Sequence, residues 1–200
     1  MTTRLGIFGG TFDPPHVGHL ILAEECLAAL QLDRLLWVLT PNPPHKTGQI
    51  ISPLEARLAM VQAAIGADPR FELSRVDIDR PAPHYALDTV RLLREQNPGA
   101  ALFYLMGGDS LHDLPAWHRP AEFLAACDGL GVMRRPGDAV DLGALETTLP
   151  GLGAKVQFVE APLIEISARD IRQRAAANRP YRYYLTNSVY QWIKEHELYR

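Results

Sequence analysis

The sequence predicts an α/β fold: a parallel sheet with helices on both faces and a small helical C-terminal extension. Two observations predict it. Six short apolar runs lack the polar alternation of a half-exposed strand, and helix-period stripes separate them. Leu5 to Phe8 is the first strand, and Leu20, Ala23, Leu27 and Leu30 share one face of the first helix. Leu35 to Leu39 follows as the second strand. The segment Thr40-Pro41-Asn42-Pro43-Pro44-His45-Lys46 supports neither helix nor central strand, so it should be a shaped loop. A second stripe of Leu54, Leu58, Val61 and Ile65 precedes a third strand from Phe71 to Val76. Next come a helix over 86–96, a strand from Ala101 to Met106, a helix over 120–126, and strands at Leu130 to Met133 and Val156 to Val159. Helices over 167–177 and 186–196 close the chain, with Ser167 and Thr186 placed as N-caps. No repeat or linker interrupts residues 1–200, so one domain is expected, with 165–200 as its helical C-terminal part.

With 200 residues, 47% of them hydrophobic, the chain can bury a real core, which excludes a disordered tail. Lys and Arg total 20 against 23 Asp and Glu, a net charge of −3, so the chain is not built to coat nucleic acid. Any phosphate it binds must be met by a few placed groups. Cys26 and Cys127 lack CxxC or metal spacing and read as reduced core residues. The N-terminus enters a strand without an apolar leader and no later segment approaches a membrane span. The expectation is a cytoplasmic protein with no membrane partner.

Gly9-Gly10-Thr11-Phe12-Asp13-Pro14-Pro15-His16-Val17-Gly18-His19 lies between the first strand and first helix. In a parallel sheet that is the carboxyl edge, where ligands bind. Paired glycines let backbone N–H groups approach an anion, the helix start adds partial positive charge, and His16 and His19 add donors at the same end. The pattern predicts a phosphate cradle, though its spacing is neither GxGxxG nor a P-loop. Zinc is a poor fit, since two histidines lack a third ligand, and no metal-ligating residue is assigned. His112 and His196 have no motif around them and read as surface residues. Arg174, Arg179 and Arg182 read as a solvated basic face.

These eleven residues resemble the HxGH signature of the nucleotidyltransferase superfamily. Its second signature, ISxTxxR, is similar to Ile166-Ser167-Ala168-Arg169-Asp170-Ile171-Arg172, with Arg169 standing where the pattern has threonine. Within the superfamily, features in order along the chain resemble the bacterial nicotinate mononucleotide adenylyltransferases. They are Pro43-Pro44-His45-Lys46, His84-Tyr85-Ala86-Leu87-Asp88-Thr89, Gly107-Gly108-Asp109 with Trp117 and Phe123, and the closing Tyr184-Leu185 with Val189, Tyr190 and Ile193. Pantetheine-phosphate adenylyltransferases, the nearest competitor, usually carry threonine where His16 stands.

The resemblance implies a Rossmann-like sheet and adenylyl transfer from ATP to nicotinate mononucleotide, giving nicotinate adenine dinucleotide and pyrophosphate in NAD biosynthesis. His16 and His19 would be catalytic. ATP would also meet Gly9, Gly10, Thr11, Phe12, Gly107, Asp109, Arg134, Ser167 and Arg172. The acceptor would meet Lys46, Ala86, Asp109, Trp117 and His118, with Trp117 stacking on the pyridine and the Ala86 and His118 main-chain N–H groups facing the carboxylate. Asp88 and Thr89 would support that turn. Mg²⁺ would arrive with ATP, held mainly by phosphates and water. The partners are then small molecules, with a homo-oligomer left open. The alternatives are an adenylyltransferase for another phosphate acceptor such as phosphopantetheine, and a nucleotide-binding regulator without turnover, suggested by Arg169.

Overall fold

The computed structural model describes residues 2–42, 51–133, 140–162 and 164–200. Six strands form one sheet: β1 (Arg4–Gly10), β2 (Arg34–Leu39), β3 (Phe71–Ser74), β4 (Ala101–Gly107), β5 (Gly129–Met133) and β6 (Val156–Val159). Their spatial order is β3-β2-β1-β4-β5-β6, and every pairing is parallel. The chain thus builds outward from β1 through β2 to β3, returns to lay β4 on the other side of β1, and builds outward again. The crossovers change direction between β1 and β4, which opens a crevice at their carboxyl ends.

Helices cover both faces: α1 (Val17–Ala29), α2 (Leu54–Ile65), α3 (Ala86–Gln96), α4 (Gly108–Asp113), α5 (Pro120–Ala126), α6 (Leu142–Thr148), α7 (Leu152–Lys155), α8 (Ala168–Ala176) and α9 (Asn187–Glu195). The apolar runs are continuous because the central strands are buried on both sides. Leu5, Ile7, Leu102 and Leu130 pack with α3 and α5 on one face, while Phe8, Leu35, Trp37 and Leu105 pack with α1 and α2 on the other. Of the predicted α1 stripe, Ala23, Leu27 and Leu30 are buried. The C-terminal helices form a third cluster, in which Ile171, Leu185, Val189 and Ile193 close over Met60 of α2. Ser167 Oγ accepts from the Asp170 N–H at 3.1 Å and Thr186 Oγ1 from the Val189 N–H at 3.3 Å, so both caps form as expected.

Three details differ from the sequence expectation. The third strand stops at Ser74 rather than Val76; Val76 is buried, but against the opposite cluster, after the chain has turned off the sheet. Gly107-Gly108-Asp109, for which the sequence predicts no helix, is the start of α4, whose six residues are too few to show a helical period. Short helices α6 and α7 fill a stretch without a legible stripe. Cys26 and Cys127 are free and buried, and burial pushes both thiols up to about 12. Among the described residues no helix is long and apolar enough to cross a membrane.

Candidate active site

A cavity of about 760 Å³ opens at the β1/β4 switch point. Gly9, Gly10 and Thr11 at the end of β1 form one side, and Gly107 and Asp109 at the β4–α4 junction form another. Ala86, Trp117 and His118 close the far wall. The structure therefore brings these eight sequence-predicted residues around one space. It does not bring all of them: His16, His19, Phe12, Ser167 and Arg172 stand outside the cavity lining, and Lys46 and Arg134 lie outside the described residues. Phe12 buries its ring between Phe8, Trp37 and His19, so what it can present to a nucleotide is its backbone, held at φ +47°.

His16 is the N-cap of α1 in an extended conformation. Its N–H donates to Nδ1 of His19 at 3.1 Å, and the two rings stack with centroids 3.8 Å apart. An accepting Nδ1 leaves the neutral His19 ring with its proton on Nε2. His16 is 8% exposed, its Nδ1 has no partner among the described residues, and burial pulls its pKa down to about 4. At neutral pH the His16 ring is therefore an uncharged donor or acceptor rather than a cation. Gly18 explains the spacing between them: a Cβ there would lie 3.1 Å from His16 Nδ1 and 3.2 Å from Cε1. The ring can lie flat over the first turn of α1 because position 18 has no side chain.

The loop carrying His16 is held from behind by residues that sequence reasoning missed. Arg57 of α2, 2% exposed, donates to the carbonyls of Thr11, Thr40, Pro41 and Ser52 at 2.8–3.1 Å. One guanidinium thus ties the β1 loop to the β2 loop and the start of α2. Asp13, also buried, accepts from the Ser52 N–H at 3.1 Å and from the Tyr199 hydroxyl at 2.6 Å. Arg172 reaches this loop too, donating to the Asp13 carbonyl at 2.6 Å. The signal for Arg57 was present as a charged side chain beside the apolar stripe of α2. Asp13 and Tyr199 are 186 residues apart and gave none.

Beside the far wall of the cavity, Asp77 and Arg80 form a nearly buried ion pair at 2.9 Å. The Thr89 hydroxyl donates to Asp77 at 2.7 Å, and Arg80 also reaches the Pro83 and Tyr85 carbonyls. This network fixes the turn that launches α3, with Thr89 as the expected support. The Asp88 and Thr89 N–H groups donate to the Tyr85 carbonyl, so the helix-start donors without an intrahelical acceptor are those of Ala86 and Leu87. Tyr85 and His118 stack at 4.0 Å beside them. Trp117 lines the cavity yet packs its ring against Phe123 at 5.3 Å, so it combines a core role with an exposed face. Asp109 folds its carboxylate over Gly107, where a Cβ would meet Oδ1 at 2.4 Å. His84, buried, lines the cavity with an unpartnered Nδ1 and a pKa lowered by that burial.

Ser167 caps α8 through its oxygen and keeps its hydroxyl proton for donation; Arg169 beside it is exposed. Arg174 is not simply solvated as expected: it pairs with Asp170 at 2.8 Å and lies over the Tyr184 ring. Arg179 and Arg182 border a separate hollow of about 310 Å³. His112 and His196 are on the surface, as expected.

The model of the cytidylyltransferase-like family matches residues 7–174. A protein of Thermomicrobium roseum named probable nicotinate-nucleotide adenylyltransferase is 48% identical over 198 residues, covering 99% of this chain and 92% of its own. A protein of the same name from Roseiflexus sp. is 43% identical, covering 98% of both chains. The solved structure of Plasmodium falciparum nicotinic acid mononucleotide adenylyltransferase complexed with NaAD shares the fold, with a TM-score of 0.79 at 16% identity over 98% of this chain and 97% of that one. By the family match and by identity along nearly its whole length, this chain belongs to the cytidylyltransferase-like family, among the nicotinate-nucleotide adenylyltransferases.

Proposed function

We propose that the protein transfers the adenylyl group of MgATP to nicotinate mononucleotide, forming nicotinate adenine dinucleotide and pyrophosphate. The observation that carries this reading is the single cavity running from the β1 glycine turn to the wall of Ala86, Trp117 and His118. It offers phosphate donors at one end and an aromatic, N–H-rich wall at the other. The names of the relatives support the same substrates.

The acceptor's 5′-phosphate has a second pKa near 6, so it is largely a dianion at neutral pH and needs no general base. One of its oxygens bonds to the α-phosphorus of ATP, the bond from that phosphorus to the α,β-bridging oxygen breaks, and pyrophosphate leaves. The protein's task is alignment and stabilisation of moving charge. His16 and His19 donate to the phosphates near the transferred centre. The backbone of Gly9, Gly10, Thr11 and Phe12 approaches the nucleotide closely, and Gly107 leaves room for Asp109 to accept from ribose hydroxyls. Ser167 and Arg172 serve the β- and γ-phosphates, with Lys46 and Arg134 as further cations. Among the described residues no group of three His, Cys, Asp or Glu could cage a metal. On this reading Mg²⁺ would be held mainly by the ATP phosphates and water. Two free buried thiols suit a reducing, cytoplasmic setting.

The Ala86 and His118 N–H groups favour a carboxylate over an amide, because an amide NH₂ would face donors with a donor. The test is pyrophosphate release from ATP and Mg²⁺ with nicotinate mononucleotide, its amide analogue or phosphopantetheine as acceptor. The acid should be consumed fastest. Turnover of phosphopantetheine alone, or tight ATP binding with no product from any acceptor, would overturn the assignment.

A further inference from the structure

The second-last residue of the chain reaches the loop that carries His16. Tyr199 is held in a left-handed conformation, φ +66°, after α9 has ended. That turn sends its ring inward against Met60 of α2, where its hydroxyl lies 3.7 Å from the sulfur and donates to Asp13 Oδ1 at 2.6 Å. An ionised carboxylate only accepts, and a phenol donating to it makes a short, charge-assisted bond. Burial raises the Tyr199 pKa and the Asp13 charge raises it further, so the phenol keeps its proton throughout the range where enzymes work. The second Asp13 oxygen is occupied by the Ser52 N–H, and its carbonyl by Arg172. Asp13 is thus fixed at three points, and it lies three residues before His16.

We propose that Tyr199 is a positioning residue for adenylyl transfer: by holding Asp13 it sets the Thr11–His16 loop so that the His16 ring meets the phosphates. The proposal rests on the adenylyl-transfer reading above. Tyr199 lines neither of the two cavities described above. Its effect belongs to alignment, where a displacement of about 1 Å can cost about 100-fold in rate.

The test is Tyr199→Phe, which keeps the ring and removes the hydroxyl together with its Asp13 and Ser52 contacts, with Asp13→Asn approaching the Asp13 contact alone from the other side. Three readouts are taken on the full chain: kcat and KM for both substrates, amide hydrogen exchange across residues 11–16, and the thermal midpoint. In each variant kcat should fall about 10-fold or more, with both KM values within about twofold. Exchange in 11–16 should quicken about 10-fold or more while the central strands keep their protection, since one charge-assisted bond is lost locally. The double variant should lose no more than either single one. Unchanged kcat and unchanged exchange in Tyr199→Phe would overturn the proposal. So would a general loss of protection with a large drop in midpoint, which would make Tyr199 a purely structural contact. If wild type turns over no nicotinate mononucleotide, the substrate assignment fails, while the exchange arm still decides whether Tyr199 holds the loop.

Discussion

Arg57→Met is the substitution that tests the loop architecture most directly. It keeps the volume of the buried stem and removes the guanidinium that holds the Thr11, Thr40, Pro41 and Ser52 carbonyls. Hydrogen bonds to a charged group contribute about 1.5–3 kcal/mol each, so four would total about 6–12 kcal/mol if they were independent. They are not, because Arg57 is 2% exposed, and removing it also relieves a desolvation cost of several kcal/mol, on the order of half that sum. Burial does pull the Arg57 pKa down, with the Asp13 charge pushing back, which is the same cost seen as a proton equilibrium. Half of the lower figure leaves a loss of about 3 kcal/mol, in the range found when one member of a buried charged network is removed, and this lower end is carried forward.

For a domain of this size each kcal/mol moves the midpoint by about 2–4 °C, so Arg57→Met should melt about 6–12 °C below wild type. Thermal unfolding by circular dichroism, with urea titration as the check on ΔG, reads it. Because Thr11 and Thr40 both line the cavity, KM for ATP should rise about 10-fold at a temperature where the variant is folded. A midpoint within about 2 °C of wild type and an unchanged KM would show that the loops hold their shape without Arg57.

Gly18→Ala should leave the midpoint unchanged or raise it slightly, since alanine gains up to about 1 kcal/mol of helix propensity, yet lower kcat about 10-fold as the new Cβ displaces the His16 ring. Steady-state kinetics beside a melting curve would show the split. Thr89→Val removes a donor from the buried Asp77 carboxylate and should cost about 1–3 kcal/mol, raising KM for the acceptor but not for ATP; equal changes in both KM values would contradict the division of the cavity into two ends. His16 has a folded pKa of about 4 against 6.5 unfolded, so between these values the unfolded chain binds more protons and stability falls as pH falls. From pH 7 to pH 5 His16 should cost about 2 kcal/mol, and His16→Asn should lose that much less stability over the same interval in urea titrations.

How much of this was legible in the sequence depended on the distance over which each signal acts. The strands were readable because burial on both faces leaves an uninterrupted apolar run, as in Leu35 to Leu39, and α1 and α2 because their stripes repeat at 3.6 residues. The cradle was readable because Gly9 through His19 is contiguous. Helix α4 was not, since six residues contain less than two turns. The Asp77, Arg80 and Thr89 network was only half visible: Thr89 sits in a motif, but its partners lie in an irregular stretch before it. Arg57 sits beside the apolar stripe of α2, which marks it as unusual, but nothing in sequence shows that its partners are backbone carbonyls. Tyr199 and Asp13 lie at opposite ends of the chain, and only the closing of α9 over α2 brings them together.

The charges of the cavity sharpen what the histidines are for. Among the described residues, its lining includes Asp77, Asp109 and Asp113 and no lysine or arginine, although both proposed substrates are anions. On the proposed reading, attraction comes from helix-start N–H groups, which α1, α3 and α4 all supply at this edge of the sheet. On the same reading, an uncharged His16 adds little to that ground-state attraction. In the proposed reaction the contribution of His16 would grow as charge moves onto the α-phosphate and the departing pyrophosphate, because a buried donor in a low-dielectric site responds strongly to new negative charge. A fixed cation in the same place would bind ATP and the transition state alike, lowering KM without raising kcat. On the proposed reading, holding His16 neutral by burial, beside a glycine and on a loop tied down by Arg57 and Asp13, would direct its interaction toward the transition state.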